Sequence, residues 1–118
     1  MSNLKKIEGG VTTPQGFTAG AVYTAIKKRE NKKPDVAVLY SDLPCSCAAC
    51  FTTNKFCAAP VTVSRAHLGK GGSAPVRAVC INSGNANAAT GEEGLECAEA
   101  TCALVAKTIG FEPEQVLV

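Results

Sequence analysis

The sequence predicts a single folded domain of the mixed α/β (α+β) class. Two β-prone stretches, residues 17–26 and 35–40, flank a charged link and predict a hairpin. The most apolar stretch, residues 76–81, predicts a central strand. A helical pattern with apolar residues at steps of three and four follows it. Strands and a helix in a 118-residue chain that is 46% hydrophobic indicate one α/β domain.

The first half is divided by turn-forming residues. Residues 8–16 are rich in Gly, Thr and Pro and predict an entry loop, and Leu43-Pro44 is expected to end the second hairpin strand. Residues 51–54 predict a short strand or a turn. Residues 61–65 alternate between apolar and polar side chains and predict a half-buried strand. Residues 69–73 predict a flexible turn that resembles a phosphate-binding loop only faintly.

The second half contains the clearest helix. Its predicted buried face consists of Leu95, Ala98, Cys102, Val105 and Ile109.

Both ends of that helix carry signals. Thr90 with Glu93 predicts a capping box, and Gly110 predicts a left-handed cap. Residues 115–118 then begin an apolar strand that stops with the chain at Val118, so we expect a sequence cut from a longer one.

The composition suggests a domain that does not stand alone. The chain has no Trp, four Phe and two Tyr, and its apolar total comes largely from Ala, Val and Cys. Small side chains bury little surface each, so such a domain would be marginally stable by itself. We therefore expect extensive contact with a partner chain.

Composition also excludes several function classes. No continuous apolar twenty-residue span occurs, so the sequence predicts no membrane partner. The N-terminus lacks the apolar core of an export signal, which favours a cytoplasmic protein. The densest basic run, residues 27–33, contains no aromatic side chain, so it predicts a solvated turn and no nucleic-acid partner.

Seven cysteines raise the question of a metal or redox site. Cys45, Cys47, Cys50 and Cys57 supply enough sulfur for tetrahedral zinc, and Cys47 and Cys50 have redox C-x-x-C spacing. Their apolar surroundings favour small structural residues, so we predict no metal and keep a zinc or redox module as the weaker alternative. The single histidine, His67, has no acid nearby in sequence and is expected to be a surface or packing residue.

Polar residues follow the predicted central strand directly. Asn82, Ser83, Gly84, Asn85 and Asn87 place amide donors and acceptors between that strand and the helix. An Asx-rich connection that holds only its own backbone is the structural alternative. We predict a loop that supports a functional site without performing chemistry.

Three segments resemble the ornithine acetyltransferase family, also called glutamate N-acetyltransferases, of arginine biosynthesis. They are residues 9–17 (GGVTTPQGF), residues 51–54 (FTTN) with 58–61 (AAPV), and residues 82–88 (NSGNANA) with Thr90-Gly91. The order of these segments matches the alpha chain of that family. Cys47 and Cys50 depart from the family pattern.

The resemblance implies a layered α-β-β-α sandwich, of which residues 1–118 form one incomplete domain. It implies a precursor that cleaves itself before a threonine, giving a beta chain whose Thr nucleophile takes acetyl from N2-acetylornithine and passes it to glutamate. That threonine and the oxyanion-stabilising Thr-Gly would follow Val118, so no catalytic residue is expected in this chain.

The resemblance also implies an alpha2-beta2 assembly with no cofactor, and acetyl-CoA as an optional second substrate. An amidohydrolase of the same fold, with the same kind of N-terminal nucleophile, is the alternative activity.

Overall fold

The computed structural model describes residues 4–28, 30–69 and 74–118. Its elements, in chain order, are β1 (Phe17–Val22), β2 (Val36–Ser46), α1 (Ala59–Leu68), β3 (Pro75–Asn82), α2 (Gly91–Ile109), a 3-10 turn (Pro113–Gln115) and β4 (Val116–Leu117). The described strands form one sheet in the order β1-β2-β3-β4. The predicted α/β class is confirmed.

The sheet combines a hairpin with a parallel crossover. β1 pairs antiparallel with β2, and β2 pairs antiparallel with β3. β3 and β4 are parallel, and α2 connects them. The predicted hairpin, the central position of β3 and the final strand are therefore confirmed.

β1 is shorter than predicted because a buried carboxylate takes over its last amides. The strand ends at Val22 instead of reaching Ile26. Asp35 lies just before β2 and accepts hydrogen bonds from the amides of Thr24 (2.6 Å) and Ile26 (3.0 Å). These amides are satisfied by a side chain, so the backbone leaves the ladder there.

β2 is longer than predicted, and Leu43-Pro44 does not end it. The strand continues to Ser46 through an irregularity between Tyr40 and Cys45. A bulge of this kind takes Pro44 out of the ladder. The strand therefore loses no ladder hydrogen bond, although proline has no N–H to donate. The Arg77 guanidinium donates to the carbonyl of Ser41 at 3.3 Å and also to that of Asp42.

The predicted strand at residues 61–65 is wrong, since this segment lies inside helix α1. Pro60 occupies the first turn of the helix, where its missing N–H costs nothing. Gly69 ends the helix with a φ of +68°. The helix buries Val63 and Leu68, and this packing outweighs the strand preference of the β-branched residues.

Two further predictions concern the segments on either side of α1, at residues 51–54 and 69–73. Residues 51–54 form no strand; the hydroxyl of Thr52 and the side-chain carbonyl of Asn54 accept from the amides of Asn54 and Phe56, which favours the turn alternative. Of the predicted turn at 69–73, residues 70–73 lie outside the described residues.

Helix α2 confirms its predicted Gly110 cap and part of its predicted buried face, but not its capping box. Leu95, Val105 and Ile109 are only half-buried, and Ala106, which was not predicted, is buried. Ala98 and Cys102 are buried, and Gly110 has a φ of +86°. Thr90 has φ −98° and ψ 0° instead of the extended backbone of a side-chain cap, and its hydroxyl caps no amide. Its side chain lies against Gly94 instead.

The core lies between α2 and one face of the sheet. Small side chains from α1, α2, β3 and β4 form it: Ala59, Val63, Ala78, Ala98, Cys102, Ala106 and Val116. The other face of the sheet is apolar; it is covered at β4, where Leu117 and Val79 pack with Leu68, and open over β1 and the end of β3. Ala19, Ala21 and Ile81 point to this face by strand alternation, and all three are exposed.

Candidate functional site

The loop after β3 is organised by its own asparagines. The Asn82 side-chain carbonyl accepts from Asn87 Nδ2 at 2.6 Å, and Asn82 Nδ2 donates to the Asn85 backbone carbonyl at 3.4 Å. Asn85 Nδ2 donates to Asn87 Oδ1 at 2.8 Å. These bonds connect all three side chains in one network, as expected for an Asx-rich connection. A role for the loop in supporting chemistry stays a prediction.

Two further residues dock the loop onto the hairpin. The Ser83 amide donates to the Asp35 carbonyl at 2.7 Å. Gly84 has a φ of +110°, and a side chain there would come within 3.1 Å of Lys27 Cβ. Glycine is therefore required both by the backbone angle and by the close approach.

The loop forms part of the wall of a cavity of about 550 Å³. Its lining mixes amide, hydroxyl and carboxylate groups with apolar side chains: Ile26, Val36, Pro60, Cys80, Asn82, Asn85, Asn87, Thr90, Glu93, Gly94, Cys97, Ala98, Thr101 and Val118. Such a mixture is typical of small-molecule sites. The cavity is the candidate functional site.

The structure separates the five predicted loop residues into two groups. Asn82, Asn85 and Asn87 line the cavity, whereas Ser83 and Gly84 attach the loop to the hairpin. Sequence reasoning missed Glu93 and Thr101, which reach the cavity from α2. Their eight-residue separation places both on one face of the helix, a signal that the sequence already contained.

The end of β4 reaches the same cavity and is held by α1. The Ser64 hydroxyl donates to the Val118 carbonyl at 2.8 Å and accepts from the Val118 amide at 3.1 Å. His67 Nδ1 lies 2.7 Å from the Val116 carbonyl. This contact agrees with the packing role predicted for His67.

Three groups in or around the site have shifted pKa values, and burial raises the pKa of Cys80, which lines the cavity. Burial raises the pKa of Asp35, but hydrogen bonds from Thr24, Ile26 and its own amide outweigh burial, so the pKa lies below its ordinary value. For Cys102, burial, Cys80 and Glu99 raise the pKa to about 11. The carboxylate therefore stays ionised at neutral pH, and the thiol stays protonated.

The thiols of the cysteine-rich segment make separate local contacts. Within the described ranges, no group of three or more His, Cys, Asp or Glu side chains is arranged to hold a metal ion. Cys45 Sγ contacts the Leu43 carbonyl, and Cys57 Sγ contacts the Thr62 hydroxyl.

Among the residues that the structure describes, no helix is both long enough and apolar enough to cross a bilayer.

Comparison with known proteins identifies the family of this chain. The sequence model of the ArgJ family matches residues 18–118. The chain belongs to the ArgJ family. The family membership expected from residues 9–17, from 51–54 with 58–61, and from 82–88 with Thr90-Gly91 is confirmed, although the matched range begins after the first of these segments.

Curated ArgJ relatives are similar across nearly the whole chain. The arginine biosynthesis bifunctional protein ArgJ of Dehalococcoides mccartyi (strain CBDB1) is 47% identical over 111 residues, covering 94% of this chain and 27% of its own length. The mitochondrial ArgJ protein of Fusarium vanettenii is 46% identical over 111 residues, with 94% and 25% coverage. The chain thus spans about a quarter of the length of these relatives.

Two crystal structures of ArgJ proteins share the fold. The ArgJ protein of Bacillus halodurans has a TM-score of 0.83 and 34% identity, covering 93% of this chain and 55% of that one. The ornithine acetyltransferase of Mycobacterium tuberculosis, complexed with ornithine, has a TM-score of 0.79 and 36% identity. This second match covers 92% of this chain and 57% of that one.

Proposed function

We propose that this chain is the N-terminal part of the alpha chain of an N-acetyltransferase that moves the acetyl group of N2-acetylornithine to glutamate in arginine biosynthesis. The observation that carries the proposal is the match to the ArgJ family over residues 18–118. Relatives named as arginine biosynthesis proteins and a structure named as an ornithine acetyltransferase support it.

In this proposal residues 1–118 form one incomplete domain, completed by the rest of the precursor and by the beta chain in an alpha2-beta2 assembly. The open apolar sheet face at Ala19, Ala21 and Ile81 supports this, because apolar surface gains stability when another layer covers it. The relatives' greater length supports it as well. A second sheet on that face would complete the α-β-β-α sandwich.

The proposed chemistry uses a threonine nucleophile at the N-terminus of the beta chain. A base takes the hydroxyl proton as the oxygen attacks the acetyl carbonyl, and two donors following Val118 stabilise the tetrahedral oxyanion. The base passes that proton to the leaving nitrogen as the C–N bond breaks, which releases ornithine and leaves acetyl-threonine. The amine of glutamate then attacks that ester, which gives N-acetylglutamate and restores the threonine.

In this proposal residues 1–118 shape the site but contribute no side chain that reacts with the substrates. The network of Asn82, Asn85 and Asn87 shapes one wall of the cavity, and Val118 forms another part of the lining. We propose that the site needs no cofactor, that acetyl-CoA is an optional second acetyl donor, and that the enzyme acts in the cytoplasm.

The test is an assay of the full-length protein that contains this chain. Two polypeptides on a denaturing gel and ornithine release that depends on glutamate are the expected results. Release without glutamate would identify the amidohydrolase alternative. A single uncut polypeptide with no transfer would overturn the proposal, and N-acetylglutamate formed from acetyl-CoA would establish the second donor.

A further inference from the structure

We propose that Ser64 is a positioning residue that fixes Val118 and thereby the start of the segment that follows β4. The catalytic consequence rests on the function proposed above, in which that segment donates to the oxyanion. The contact itself does not depend on that function.

The Ser64 side chain forms the two hydrogen bonds that a neighbouring strand would otherwise form with the Val118 backbone. The Ser64 hydroxyl donates to the Val118 carbonyl at 2.8 Å while accepting from the Val118 amide at 3.1 Å. A hydroxyl can do both at once because it carries one donor and two acceptor sites. Ser64 is only 6% exposed, so water does not compete freely for these groups.

The contact begins where the ladder ends. β4 pairs with β3 only at Val116 and Leu117, and Val118 lies beyond these pairs. His67, three residues after Ser64 on the same helix, contacts the Val116 carbonyl at 2.7 Å. Backbone groups of alternate strand residues point the same way, so α1 covers the free edge of β4 as another strand would.

Val118 also lines the cavity, so its position matters for the site. Without the Ser64 hydroxyl, the strand end is free to shift relative to the asparagine loop and to whatever follows it. Oxyanion donors act mainly in the transition state, so a displaced donor lowers kcat more than it changes KM.

The kinetic test uses S64A in the full-length enzyme. We expect kcat to fall about ten- to a hundred-fold, because small displacements of catalytic groups lower rates by about that much. KM should change less than about two-fold. S64T, which keeps the hydroxyl, should recover most of the activity. T62A removes a hydroxyl from the exposed side of the same helix, where it contacts Cys57 Sγ, and should keep the wild-type kcat and the wild-type exchange at Val118.

A second measurement does not need activity. Hydrogen exchange at the Val118 amide should accelerate in S64A, while the β3 amides keep their protection. If S64A does not accumulate, S64C supplies a similar volume with a poor hydrogen-bonding group and should show the same changes.

The outcomes separate the two proposals. Unchanged exchange at Val118 in S64A overturns the contact, and faster exchange with unchanged kcat overturns its catalytic role. An inactive wild-type enzyme would refute the proposed function and with it the catalytic role, while the exchange result would still decide the contact.

Discussion

Asp35 and Thr24 are joined by two hydrogen bonds to one oxygen: Asp35 Oδ1 accepts from the Thr24 amide at 2.6 Å and from the Thr24 hydroxyl at 2.8 Å. The Asp35 carbonyl accepts from the Ser83 amide. One residue therefore ends β1, starts β2 and anchors the loop that borders the cavity.

This arrangement predicts a pH dependence. The pKa of Asp35 is lowered in the folded protein, so its stabilising contribution is complete above the ordinary carboxyl pKa of about 4 and is lost as pH falls through the folded value. We expect D35N to lower the melting temperature at pH 7, with the difference from wild type shrinking towards pH 3. An equal difference at both pH values would contradict the prediction.

Gly84 should not accept a side chain. Its φ of +110° disfavours L-residues, and a Cβ would lie 3.1 Å from Lys27 Cβ. We expect G84A to cost about 1–3 kcal/mol of unfolding free energy, measured by urea denaturation of the full-length protein. G20A is the matched control, because a Cβ on Gly20 meets nothing within 4 Å. Equal stability of the two variants would count against this account of the loop.

Gly94 reverses the usual effect of alanine in a helix. Replacing a helical glycine with alanine normally stabilises by about 1 kcal/mol. Here the new Cβ would overlap Thr90 Oγ1 and lie 2.5 Å from Thr90 Cβ, so the start of α2 must move. We expect G94A to lower the melting temperature and the added change T90G to restore it. A stabilised G94A protein would show that Thr90 moves aside freely.

The thiols should differ widely in reactivity. Cys102 is fully buried with a pKa of about 11, so only about a thousandth of it is thiolate at pH 8. Cys50 and Cys97 are exposed. Pulsed alkylation with mass-spectrometric mapping should label those two first, with Cys80 and Cys102 labelled only after unfolding. Early labelling of Cys102 in folded protein would disprove the burial argument.

Local patterns predicted much of the fold. The hairpin, β3, part of the buried face of α2 and Gly110 followed from periodicity and turn residues. Helix α1 did not, because residues 61–63 are Val, Thr and Val, whose local preference favours a strand. Pro60 and Gly69, nine positions apart as helix start and stop, were the contrary signal.

Only part of the candidate site could be predicted from local sequence patterns. The asparagine loop could be found because its residues are adjacent and follow a buried strand. The Ser64–Val118 contact joins residues 54 positions apart, and no periodicity relates a helix side chain to a distant strand end. Likewise, the capping box at Thr90 had the right residue types but the wrong backbone angles.

The alanines and the cysteine on the inner face of α2 limit what core mutations can do in this domain. Ala98, Cys102 and Ala106 recur every four residues and are at most 5% exposed. Truncation can remove little more than a methyl group there, so conventional cavity-creating substitutions have almost nothing to delete. Enlargement is the damaging change, because one added methylene must push helix and sheet apart along the whole contact. The separation of the two layers is therefore set by its smallest side chains.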